Sequence, residues 1–172
     1  SSINVTNNEL TVHVEAYYTG ASPVSTNLLN VALLQNNTTG PQTGGNAGNE
    51  YVHQHRLVHM ITGQWGESIT ITTSGTFVDR AYTYTLPANY NGIPVEISEL
   101  EIVAFVAETQ QNIISGNGST PTFTGIVGND VNLKSIDPIA SQCINNIGPK
   151  VQIQNISQTP LTSLSISYDI NS

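Results

Sequence analysis

Apolar residues recur at every second position along most of this chain, and nowhere do they keep a helical spacing over three turns. Such alternation belongs to strands whose side chains point to two faces in turn, so the chain reads as all-β. Leu10, Val12, Val14 and Ala16 share one face while Thr11, His13, Glu15 and Tyr17 share the other, which predicts a half-buried strand. Residues 28–35 (LLNVALLQ) are almost continuously apolar and predict a central strand covered on both sides. A long strand is expected from Tyr51 to Ile61, with Ser68–Thr73 as its hairpin partner beyond the turn residues Gly63 to Gly66. Tyr82, Tyr84 and Leu86 alternate with Thr83 and Thr85, which turns the tyrosines toward the core, and Asn91-Gly92 marks a tight turn. Leu100, Ile102, Ala104 and Val106 line one face of a strand ending near Glu108, and 111–115 is its expected partner.

Between these strands, 19–27 reads as a loop, and 36–49 (NNTTGPQTGGNAGN) as a long Gly/Asn loop of the kind that carries function. Roughly eight strands at this spacing predict an antiparallel β-sandwich, jelly-roll-like, over residues 1–116. Residues 117–142 lose the alternation and read as closing loops and a linker. The pattern restarts at 143–172, where Val151 and Ile153, then Leu164, Ile166, Tyr168 and Ile170, predict the first strands of a second Ig-like β-module. Two strands cannot bury a core alone, so this module reads as truncated. The start at Ser1, with no initiator Met, reads as a processed or excised chain.

What wets the outer faces of these strands is unusual. Only 9% of the 172 residues are charged, against about a quarter in ordinary domains, while Asn, Thr and Ser together supply 55 residues. Amides and hydroxyls therefore replace charges, as on extracellular proteins. Arg56, Arg80, Lys134 and Lys150 are outnumbered by acids, giving a net charge of −8, and four scattered cations cannot neutralise a run of phosphates. Nucleic acid and anionic membrane are excluded as partners on that ground, and no apolar run is long enough for a transmembrane segment. The single Cys143 cannot pair within the chain and leaves the redox compartment open.

Candidate chemistry is sparse. His53 and His55 lie two apart on the expected strand and so share a face, with His59 further along it, a way to hold Zn or Cu if His13 and Glu15 supplied further ligands. The run Glu96-Ile97-Ser98-Glu99-Leu100-Glu101 has the look of the acid cluster of retaining β-glucanases, whose carboxyls sit about 5–5.5 Å apart. Ser98 stands where that pattern has Asp, and Glu99 and Glu101 are expected on the solvent side, so no catalysis is expected. No G-x-S-x-G elbow and no phosphate-binding G-K-[ST] ending occur. Asp79, Asp130 and Asp137 could join carbonyls around a structural Ca²⁺, and Trp65 with Tyr51 and Arg56 could form a binding patch, for a glycan if aromatics share an exposed face.

The segments LTVHVEAYYTGASPVSTNLLNVALLQNNTTGPQ, EYVHQHRLVHMITGQWGESI, AYTYTLPANYNG and LEIVAFVAETQQNIISG, in that order, resemble the outer-membrane-protein-28-related family of Bacteroidota over about residues 9–116. The stretch from Tyr51 to His55 leading into Gly63–Gly66, and VAFV at 103–106, are its most specific elements. Longer members are similar in carrying a thioredoxin-like portion upstream and often a type IX secretion signal. The resemblance implies an extracellular or outer-membrane surface location in a Gram-negative bacterium and no established catalysis for this β part. The expected function is a non-enzymatic surface or secreted module mediating assembly, adhesion or protein interaction, its partners being other domains of the same longer protein or cell-surface proteins. A carbohydrate-binding module is the alternative. No cofactor is expected, beyond structural Ca²⁺ or Zn or Cu at the histidine pair.

Overall fold

In the computed structural model, described for residues 1–44, 48–110, 112–125, 130–137, 148–157 and 159–167, strands dominate and the one helical turn among the described residues is a 3₁₀ segment at Ile97–Glu99. The strands are β1 (Ser2–Asn4), β2 (Glu9–Tyr17), β3 (Asn27–Gln35), β4 (Thr38–Gly40), β5 (Tyr51–His53), β6 (Arg56–Met60), β7 (Glu67–Ile69) and β8 (Phe77–Thr85). They continue with β9 (Asn89–Tyr90), β10 (Ile93–Pro94), β11 (Leu100–Ala107), β12 (Ile113–Ser119), β13 (Thr122–Thr124), β14 (Val131–Ile136) and β15 (Val151–Asn155). The chain forms two compact units, residues 1–3 with 7–122 and residues 4–6 with 123–172.

The larger unit is the expected antiparallel sandwich. One layer runs β1-β2-β8, with β2 and β8 paired along their whole lengths from Glu9↔Thr85 to Tyr17↔Phe77. The other runs β12-β11-β3-β6, with β7 also paired to β3. As its composition predicts, β3 is central: it pairs with β11 from Leu28↔Ala107 to Gln35↔Leu100 on one edge. Its other edge takes β7 at Asn27–Leu29 and β6 at Ala32–Gln35. The core is the set of facing inner side chains: Ile3, Leu10 and Val12 from one layer, Leu29, Val31, Leu33, Leu100, Ile102 and Val106 from the other, all buried. Burying aliphatic side chains of this size stabilises by about 1.5–3 kcal/mol each, so the register that puts them inside is strongly preferred.

A polar knot fixes the loop before β3. Asn27 is fully buried, donating to the Tyr18 hydroxyl (2.9 Å) and accepting from Ser22 Oγ (3.0 Å), while Thr72 Oγ1 donates to Val24 O (2.9 Å). The Asn91-Gly92 turn forms as read, with positive φ at both residues and Ile93 opposite Tyr90. Tyr82 and Tyr84 lie half-buried on the inward face of β8, as expected, and β12 is the partner of β11, longer than predicted.

Several segments differ from the sequence reading. The strand expected across 51–61 breaks at Gln54-His55, where His55 has φ +53, so β5 joins β4 in a separate two-stranded sheet while β6 joins β3. Part of the 36–49 loop is therefore strand. The Ser68–Thr73 segment does not form a hairpin with it either: β7 spans Glu67–Ile69 and continues the edge of β3, because Gly63 and Gly66, both at positive φ, turn the chain back onto that edge. The stretch 117–142 contains the end of β12, β13 and β14: the first two are too polar to show alternation, and β14 (VNLKSI) loses it at the register shift between Leu133 and Ser135.

In the smaller unit, Val5 N–H bonds Thr124 O (3.0 Å), and Thr6 Oγ1 bonds Gly125 O (3.0 Å). β14 pairs with β15 from Val131↔Asn155 to Ile136↔Val151, and Leu133, Ile136 and Ile153 are exposed among the described residues. The strand expected at Leu164–Ile170 is absent from 164–167 among the described residues; Tyr168, Ile170 and Cys143 lie outside them.

Candidate functional site

The sequence singled out a histidine patch and a carboxylate run, and the fold brings them to one end of the sandwich. β3 leaves the sheet at Asn36-Asn37, Asn37 adopting φ +52, and this turn lies against both patches. Asn36 Oδ1 accepts from His55 N–H (2.8 Å), and its Nδ2 donates to Glu101 Oε2 (3.4 Å). Asn37 Nδ2 donates to Glu99 Oε2 (2.6 Å), and Gln54 Nε2 donates to Asn37 Oδ1 (2.7 Å). His55 Nε2 closes the ring 3.5 Å from Glu101 Oε2. The carboxylates are thus held by amides and an imidazole. The two asparagines that join the patches went unrecognised because they sit in a low-complexity Asn/Thr run; the NN dipeptide after a strand was the available turn signal.

The four histidines do not gather. His53, on β5, lies edge-on to Tyr51 at 4.8 Å between ring centroids, with Nε2 3.3 Å from Pro41 O. His55 is carried out of the strand by its left-handed backbone, so the shared face expected of His53 and His55 does not exist. The bulge between Leu33 and Leu34 sets His59 opposite Leu33, on the inner side, stacked on Tyr84 at 4.3 Å. His13 lies on the other layer, where β2 and β8 put Glu15 opposite Asp79. There His13 Nε2 is 2.5 Å from Asp79 Oδ1 and 4.0 Å from Glu15 Oε1, all three exposed. This is the one group of three potential metal ligands among the described residues, built from His13 and not from the predicted pair. Asp130 and Asp137 flank β14 at its two ends, so those two do not share one Ca²⁺ loop.

Arg56 extends from β6 opposite Gln35 on the inner side, with Nε and Nη2 buried and without a hydrogen-bond partner among the described residues. Burial, with hydrogen bonding to Glu67, raises the Tyr82 phenol above its ordinary value; burial, with the Tyr84 hydroxyl, does the same for Tyr90.

A third locus is apolar. Trp65 sits at the tip of the Gly63–Gly66 turn, 57% exposed. Gly66 is required there: at φ +79 a Cβ would lie 2.8 Å from both Leu29 O and Asn30 Oδ1. Trp65 borders a cavity of about 220 Å³ on the outer face of the five-stranded layer, lined also by Leu28, Met60, Phe105, Ala107 and Ile113. Ile113 in its lining is 60% exposed, and Leu57 (57%) is exposed on the same outer face, opposite Leu34. Tyr51, the other aromatic of the expected patch, is exposed on the separate β4–β5 sheet.

Comparison with known proteins follows the same line. The family model described as "Outer membrane protein Omp28" matches residues 1–117. Among solved structures, the chain is similar to HBP35 of Porphyromonas gingivalis, at 16% identity and a TM-score of 0.45, covering 85% of this chain and 50% of that one. It is also similar to a domain of the outer membrane lipoprotein Omp28 from Porphyromonas gingivalis, at 16% identity and a TM-score of 0.39, covering 72% of this chain and 98% of that one. The chain thus spans half the length of the HBP35 chain. A search of curated proteins returns no match. No helix among the described residues is long and apolar enough to cross a membrane. The matched family is one of outer-membrane proteins, which agrees with the surface location expected from the charge-poor composition. With the model matching more than half of its length, the chain belongs to the Omp28 outer membrane protein family.

Proposed function

We propose that this chain is a non-enzymatic interaction module that docks a neighbouring domain of a longer surface protein onto the outer face of its five-stranded layer. The observation that carries this reading is the apolar locus where Trp65 and Ile113 are exposed and Phe105 is half-buried around one cavity, with Leu57 exposed on the same outer face. Contiguous apolar surface rimmed by polar residues marks interaction sites. The aromatic at the centre of such a patch is the type of residue that carries binding energy. The commitment of Glu99 and Glu101 to Asn37, Asn36 and His55 supports a structural use of the carboxylates over an acid/base one. The test is the double substitution Leu57→Ser with Trp65→Ser in the full-length protein on cells. Loss of association with its surface assembly at unchanged thermal stability supports the reading; retained association, or turnover of a glycan abolished by Glu101→Gln, refutes it.

A carbohydrate-binding reading has one observation in its favour. Tyr17 (62% exposed) and Phe77 (56%) are directly opposite each other on the outer face of β2 and β8, next to Glu15 and Asp79. Two adjacent rings and two carboxylates can stack on and accept from a sugar. A glycan array that returns hits lost on Tyr17→Ala supports this reading, and an empty array removes it.

A further inference from the structure

The layer containing β2 is one strand short over part of its length. Along β8, Tyr18 N–H bonds Thr76 O (2.9 Å) and Leu86 N–H bonds Asn8 O (2.8 Å), which fixes the parity of the ladder. Even-numbered residues of β2 bond to β8, so His13, Glu15 and Tyr17 turn their N–H and C=O groups to the opposite edge. On that edge β1 is three residues long against nine in β2, and no other strand among the described residues pairs there. Ser1 Oγ lies 3.4 Å from Ser119 Oγ, which sets β1 over the far end of β12. Next to it the two layers part, leaving Val14, Ala16 and Ala104 half-buried above the buried Leu29 and Val106.

That opening is a groove of about 270 Å³ whose lining joins both layers: Val14, Ala16 and Tyr18 from β2 and its end, Leu29, Ala104 and Val106 as floor. Ile114 and 115–117 of β12 form the far rim, and every residue of β12 is exposed. A free main-chain edge above an apolar floor is what an added strand needs, the backbone supplying affinity and the alternate side chains specificity. We infer that this groove binds an extended segment of another polypeptide as an added strand, collinear with β1. Its inward side chains are small aliphatics resting on Ala104 and Val106, and its central outward side chain is Lys or Arg beside Glu15.

The charge follows from the outer face. Glu15 and Asp79 are directly opposite, and the side chain between them is the His13 imidazole, while Arg80 directs its Nε to Glu67 (2.9 Å). A basic residue on the added strand completes the row, since opposite charges on neighbouring strands attract and like charges repel. The same argument disfavours a second copy of this chain, whose net charge is −8. The inference rests on the reading of the chain as an interaction module but uses a different surface from the one at Trp65.

The test uses the whole 172-residue chain and a synthetic peptide of alternating Val and Thr with one central outward Lys. Binding is followed by titration and by amide hydrogen exchange. The expected result is saturable binding that slows exchange at His13, Glu15 and Tyr17 while leaving the amides around Trp65 unchanged. Replacing the Lys by Glu, or the protein's Glu15 by Gln, weakens binding about threefold to tenfold. Methylating alternate peptide amides, which leaves the protein untouched, abolishes it. Absence of binding, exchange protection elsewhere, indifference to amide methylation, or self-association of the chain through this edge each overturns the inference. Because the Trp65 face is read separately, by Leu57→Ser with Trp65→Ser on cells, failure here and failure of the docking reading are told apart.

Discussion

His55 Nε2 lies 3.5 Å from Glu101 Oε2, across a contact that joins the β5–β6 break to the start of β11. The pair is set by backbone more than by charge: His55 is solvent-exposed, occupies φ +53, and donates its backbone N–H to Asn36 Oδ1. His55→Gly is therefore expected to keep the fold and raise stability or leave it unchanged, by about 0–1 kcal/mol, since glycine tolerates that conformation. His55→Val is expected to lower it by about 1–2 kcal/mol. Urea unfolding midpoints check both.

Arg56 presents a different balance, with Nε and Nη2 buried and unpartnered among the described residues. A buried donor without a partner costs about 1–3 kcal/mol. Arg56→Met, which keeps the length of the side chain, is expected to leave the thermal midpoint unchanged or raise it, whereas Arg56→Ala lowers it by removing the packed stem. Differential scanning calorimetry distinguishes the two.

Packing sets a contrast between two leucines of neighbouring strands. Leu33 is fully buried and Leu57 is mostly exposed. Leu33→Ala is expected to cost about 2–5 kcal/mol and Leu57→Ala under about 1 kcal/mol. Gly66→Ala, which drives a Cβ into Leu29 O and Asn30 Oδ1, is expected to destabilise as a core change does and to displace Trp65. Chemical denaturation with tryptophan fluorescence reads both effects at once.

Alkaline stability follows from Tyr82 and Tyr90. Both phenols are held above their ordinary value of 10.0 in the folded state, so the native protein binds more protons than the unfolded chain at high pH. Their contribution is fully present below pH 10.0 and is lost as pH rises beyond it toward the raised values. A phenolate absorbance titration is expected to show these two ionising late, and Tyr90→Phe is expected to flatten the fall in stability above pH 10.0.

How much of this was readable beforehand follows from where the pattern is strong. β2 was legible because Leu10 and Val12 alternate with Glu9, Thr11 and His13, β8 because Tyr82 and Tyr84 alternate with Thr83 and Thr85, and β3 because its run through Val31 and Leu33 is almost continuously apolar. The break at Gln54-His55 was not, because YVHQHRLVHM keeps an alternating look across a left-handed residue, and neither Gly nor Pro announces it. β13 was hidden by its short polar composition, TFT, and β14 by the register shift between Leu133 and Ser135 that breaks its alternation. Of the site residues, Trp65, Tyr51, His55 and Glu101 could be named in advance. Their grouping could not: the pairing of β3 with both β6 and β11 is what brings Asn36 between His55 and Glu101, and pairing over such distances leaves no local mark.

Docking of a neighbouring domain at Trp65, as proposed, leaves the outer face around it covered in the assembled protein. Hydroxyl-radical footprinting of the full-length protein on intact cells and again after purification tests it most directly. Trp65, Leu57, Phe105 and Ile113 are predicted to be strongly protected on cells and reactive in the purified chain, with Tyr51 and Ile71 equally reactive in both. Equal labelling of Trp65 and Leu57 in the two states would contradict the account.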